Sequence, residues 1–184
     1  MLRSIFHNQI KKLESRFGYD AAYMHEILDA SPRAFWKFGL FQVMSSHRQS
    51  VSREAWYAAR ITAARHEDCG PCTQLVVDMA LAEKIPEATL RAIVARDFAQ
   101  MSPDAALGVR LADAVLAHEP SDELRAEALK RYGQKGLISI AYAIASSRVY
   151  PTVKRVLGYA HTCERIKVAG ETVTAARPLT QAAA

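Results

Sequence analysis

Cys69-Gly70-Pro71-Cys72 is the stretch of this 184-residue chain whose residue types and spacing are best suited to chemistry. Two cysteines three apart lie on the same side of a helix, and in its first turn they are close enough to close a small disulfide. That turn also carries unpaired N–H groups and the positive end of the helix dipole. Both stabilise a thiolate, lower its pKa and make the sulfur a nucleophile near neutral pH. Gly70 and Pro71 are tolerable only there, since a mid-helix proline costs about 3 kcal/mol. The plainer reading is a pair of buried cysteines used as small apolar groups, a use commoner for isolated cysteines than for two enclosing Gly-Pro. The pair reads as a redox dithiol. Cys163 is the third cysteine, and an odd count speaks against a disulfide framework.

The flanking sequence predicts the elements that hold this pair. Before it, Ser52 caps a helix running to about Arg65, where Ala55, Trp56, Ala59, Thr62 and Ala63 permit close packing. A break at His66-Glu67-Asp68 leads into the cysteine helix, whose stripe of Cys69, Cys72, Leu75, Val76 and Met79 turns the thiols toward the apolar side, only partly exposed. Upstream, apolar periodicity predicts helices over 3–17 and 20–28, and Ser31-Pro32 opens an aromatic helix with Phe35, Trp36, Phe38, Leu40, Phe41 and Met44. Downstream helices are predicted at 87–98, 103–118 and 121–132, then a long one from about Lys135 to Arg165 with a kink or break at Pro151. From Val168 the periodicity is lost, and 168–184 reads as a flexible tail or an arm reaching a neighbouring subunit.

Half of the chain is apolar, glycines number eight, and dense clusters of β-branched residues are nearly absent. That composition predicts one all-α domain over residues 1–167. The formal charge of +5 comes from basic residues scattered singly or in pairs, which read as solvated helix faces and not as a nucleic-acid surface. No apolar run approaches the roughly 18 residues of a membrane span, and Met1 to Ile10 lacks a signal-peptide pattern, so a cytoplasmic location is expected.

The tetrapeptide is that of thioredoxin, but its frame is not. Thioredoxin's motif follows a buried strand, whereas Arg53 to Arg65 is an Ala-rich helix, and Asp68 stands where thioredoxin has tryptophan. A helix, a short break, then CxxC opening another helix resembles the alkylhydroperoxidase D and carboxymuconolactone decarboxylase family, over roughly residues 20–166. The resemblance implies an all-α bundle with the motif at the N-terminus of a central helix, and a homodimer, trimer or hexamer. It further implies an antioxidant peroxidase with peroxiredoxin-type activity, needing no cofactor. Cys72 would attack a hydroperoxide or disulfide substrate, Cys69 would resolve the sulfenic acid, and a donor protein or small thiol would return the electrons.

The chain departs from that family where protons are handled. Its motif continues CxxCxxxH, and the histidine position is Val76; the relay glutamate falls on Tyr57. Glu54, one turn before Tyr57, Tyr57 itself, and His66 with Glu67 and Asp68 are the candidate substitutes. Their plainer roles are a first-turn dipole partner, a packing residue and a solvated turn with Asp68 as cap. Losing a general base costs roughly 10²- to 10⁴-fold, so weak peroxidase activity is expected. Two other readings stand beside this one. A degenerate member would use the pair as a redox sensor or merely for packing in a structural oligomer. Alternatively, Cys69 and Cys72 would bind zinc with His161 and Cys163, although residues two apart point to different sides of a helix.

Overall fold

The computed structural model describes residues 2–159 and 165–176. Among them are eight α-helices and one β-hairpin: α1 Leu2–Phe17, α2 Ala22–Ala30, α3 Pro32–Ser45, α4 Arg53–His66, α5 Gly70–Ala82, α6 Glu87–Ala95, α7 Pro103–Leu116, α8 Asp122–Val156, β1 Arg165–Val168 and β2 Glu171–Thr174. The all-α bundle expected from composition is what the chain forms. Serines start three of the helices. Ser31, Ser52 and Ser102 accept a hydrogen bond from the backbone N–H three residues on, and Pro32 and Pro103 open the helices after the first and last.

The bundle is built around α4, which is buried continuously from Ala55 to Arg65 and packs on α7, α8 and α5. Its alanines make this possible, because small side chains let neighbouring backbones approach. The closest approach is at Gly108 of α7, where a Cβ would lie 2.3 Å from the Ala55 carbonyl oxygen. Leu107, Leu111, Ile140 and Ile144 fill the α7–α8 side of α4. Ile61, Val77, Leu90 and Val94 fill the α5–α6 side. A third apolar cluster, with Ile10, Tyr23 and Leu28 at its centre, joins α1 and α2 to Phe35 and Phe38 of α3 and to Leu75 of α5.

Two boundaries differ from the sequence expectation. α8 runs through Pro151 with helical backbone, where a kink or break was expected; its break at Gly133, whose φ of 66° favours glycine, falls between the helices expected at 121–132 and from Lys135. It ends at Val156 and not at Arg165, which begins β1. The expected tail is likewise replaced over 168–176: β1 and β2 pair antiparallel through a turn in which Ala169 and Gly170 both have positive φ. Ile166 and Val168 point inward, fully buried against α5 and α6. Residues 177–184, like His161 and Cys163, lie outside the described residues. No helix among the described residues is long and apolar enough to cross a membrane.

Candidate functional site

Cys69 is the N-cap of α5, with Gly70, Pro71 and Cys72 as its first three helical residues. This places both sulfurs at the end where N–H groups are unpaired and the dipole is positive. The two cysteines are within disulfide distance, their Cα atoms 5.3 Å apart. Both are more buried than the partial exposure expected, Cys69 at 1% and Cys72 at 6%. The Cys69 carbonyl accepts from the Thr73 backbone N–H at 2.9 Å and from its hydroxyl at 3.0 Å, locking the first turn.

The loop before the motif is not a solvated turn. Glu67 is only 9% exposed and accepts from Arg148 Nε at 2.6 Å, while Arg155 donates to the Glu67 carbonyl oxygen. Two arginines of α8 thus fix the entry to α5. Asp68 has a left-handed φ of 51°, and the N-cap is Cys69 rather than Asp68.

Cys72 opens on a cavity of about 280 Å³ bounded by α1, α2, α3, α4, α5 and α8, whereas Cys69 lies behind it. Leu75, Val76 and Met79 continue the α5 stripe along one wall, as their spacing predicts, and Leu13, Phe35 and Phe38 form another. The polar lining residues, among them Gln9, Gln42, Arg60, Ser147 and Tyr150, are ones that the sequence did not single out. Tyr150 Oη lies 3.2 Å from both Ser45 Oγ and Gln42 Oε1. Arg60 is 8% exposed and stacks over Trp56 at 4.5 Å and Tyr57 at 5.7 Å. Its Nε, like Ser147 Oγ, is buried without a hydrogen-bond partner. Burial pushes the Arg60 pKa down from arginine's ordinary value. The sequence carries no local signal for Arg60, because α4 also has Arg53, Glu54, Arg65 and His66, and the helix's burial on all sides is set by packing from distant segments.

The candidate proton-handling residues sit elsewhere. Glu54 accepts a hydrogen bond from Ser102 Oγ, tying α4 to the N-cap of α7. Tyr57 donates to Glu83 Oε1 at 2.8 Å, and Arg48 Nη1 donates to Glu83 Oε2 at 2.6 Å. Burial and then the Glu83 contact hold the Tyr57 phenol above its usual range. For Glu83, burial acts upward, but the bonds from Arg48 and Tyr57 outweigh it and the pKa falls. His66 ends α4, its pKa lowered by burial and then by the Arg148 charge. Glu54, Tyr57 and His66 are not among the residues lining the cavity at Cys72. Among the described residues no group of three or more His, Cys, Asp and Glu side chains is arranged to hold a metal ion, and the further zinc ligands considered, His161 and Cys163, fall outside them. Compared with protein-family models, curated proteins and solved structures, the chain matches none.

Proposed function

We propose that this chain is a thiol–disulfide oxidoreductase of the alkylhydroperoxidase D type, reducing a hydroperoxide through Cys72 and Cys69. The observation that carries the reading is Cys72 itself: a cysteine in the first turn of α5, facing an apolar cavity, with a second cysteine in bonding distance behind it. The Cys72 sulfur attacks the terminal peroxide oxygen, an S–O bond forms, the O–O bond breaks, and the alcohol leaves with a proton. Cys69 then attacks the sulfenic sulfur, the S–S bond forms and water departs. One hydroperoxide and two thiols give one alcohol, one water and one disulfide, which an external dithiol reduces.

The cavity wall at Val76 offers no imidazole, so turnover is slow, lower by roughly 10²- to 10⁴-fold than with a positioned general base. Alkylation and mass spectrometry should show a Cys69–Cys72 disulfide that peroxide forms and dithiol reverses. Peroxide consumption unchanged in Cys72→Ser sinks the proposal. The burial of Cys69 and the Val76 wall favour a second reading, a non-catalytic redox sensor. Thiol pKa values near the ordinary ~8.5 for both cysteines, with no hydroperoxide consumed, would select it.

A further inference from the structure

The cavity at Cys72 has a chemical character that its redox pair does not explain. Its walls are apolar over most of their area, and among the described residues lining it the one charged side chain is Arg60, with no Asp or Glu. A guanidinium stays protonated in a protein, and burying it without an anion is costly. The guanidinium lies over the Trp56 and Tyr57 rings, but cation–π contacts do not satisfy N–H donors, and Nε is buried with no partner. Glu83, the nearby carboxylate, is taken by Arg48 and Tyr57. Ser147 Oγ, buried without a partner on the same cavity, is a second donor awaiting an acceptor. Among the described residues, no ion pair includes Arg60.

We propose that this cavity binds an apolar carboxylate, whose carboxylate pairs with Arg60 and whose chain lies among Leu13, Phe35, Phe38 and Leu75, reaching Cys72. The volume, about 280 Å³, is close to the lower end of the roughly 300–1,000 Å³ found for small-molecule pockets, so the ligand is compact. Guanidinium and carboxylate form paired N–H···O bonds, which fix the acid's direction in the cavity. Resting on the oxidoreductase function above, the substrate class is a hydroperoxide of an apolar acid: carboxylate at Arg60, peroxide at Cys72, reduced by the balanced steps already given.

The binding test needs no turnover. Octanoate and 1-octanol, equal in chain length, are titrated by calorimetry into the oxidised full chain. Octanoate should bind one site per chain about tenfold or more tightly than octanol, and Arg60→Met should abolish that preference while leaving octanol bound. Equal affinities in the unmodified chain, no octanoate binding at millimolar concentration, or an octanoate affinity that survives Arg60→Met would overturn the assignment. Should Arg60→Met fail to fold by circular dichroism, Leu75→Trp, which fills the cavity, decides: loss of octanoate supports the site and unchanged binding overturns it. For the substrate class, the hydroperoxide of an unsaturated acid of octanoate's chain length is compared with that of its methyl ester. A kcat/KM about tenfold higher for the acid supports the assignment, and equal values overturn it. Octanoate bound but neither peroxide consumed supports the carboxylate site and counts against the oxidoreductase function, so the two failures are distinguishable.

Discussion

The Cys72 sulfur sits in the first turn of α5 and looks into the cavity, while the residues that first suggest themselves as its proton partners have other work. Tyr57 is held by Glu83 and Glu54 by Ser102, each bond linking two helices. We therefore expect Tyr57→Phe to cost about 1.5–3 kcal/mol in urea denaturation, the loss of a hydrogen bond to a charged group, and to leave peroxide consumption essentially unchanged. A peroxidase rate that collapses in Tyr57→Phe with stability intact would return Tyr57 to the mechanism. Restoring the imidazole tests the complementary point. Val76→His, on the cavity wall one turn after Cys72, should raise kcat/KM for a hydroperoxide by about 10²-fold, with a new pH dependence near a histidine's pKa. No gain would mean that proton delivery does not limit the rate.

At the scale of elements, the site depends on how closely α4 packs and on how β1 is fastened. Gly108→Ala brings a Cβ to 2.3 Å from the Ala55 carbonyl oxygen, and backbone on both sides leaves little room to yield. Forced separation of α4 and α7 should cost about 1–3 kcal/mol, read as a lowered denaturation midpoint. Gln74 of α5 acts as a short strand toward the hairpin: its Nε2 donates to the Lys167 carbonyl at 2.9 Å and its Oε1 accepts from the Lys167 N–H at 2.8 Å. Gln74→Ala should raise amide exchange at Lys167 by about tenfold while the α4 core stays protected. Much of the helical order was legible in the sequence, because serine caps, N1 prolines and apolar periodicity act locally. The hairpin was not legible. Four-residue strands give too few alternations to show a period, and theirs are held by Gln74 and by burial of Ile166 and Val168, partners far away in the chain.

For the whole molecule, several buried phenols set the alkaline limit of stability. Burial pushes Tyr19 and Tyr132 up to about 12 from an ordinary 10.0. Their folded pKa is raised, so the unfolded chain loses these protons first. The stability they contribute is complete below pH 10 and disappears as pH rises from 10 to 12. Urea midpoints measured between pH 9 and pH 12 should fall in that window, and Tyr19→Phe should make the fall shallower. The outer face of α3 makes a separate proposal testable, that the chain forms a homo-oligomer. Trp36, Leu40 and Val43 share one helical stripe and are 59%, 52% and 71% exposed. If that stripe joins copies, Leu40→Glu with Val43→Glu should convert the oligomer to a monomer by size exclusion with light scattering. A monomeric unmodified chain would end the proposal.

The sequence by itself determined the helical class, most helix starts, and the placing of a cysteine pair in the first turn of a helix, since caps, periodicity and the tolerance for Gly-Pro are properties of a few consecutive residues. Only the tertiary structure decided what surrounds Cys72. Glu54 and Tyr57 share α4 at a spacing of three, yet one is captured by α7 and the other by the C-terminal end of α5. Arg60, three residues beyond Tyr57, reads in the sequence like any solvated charge. It is buried at the cavity because α3, α5 and α8 close over that part of α4, and such enclosure depends on packing between distant segments.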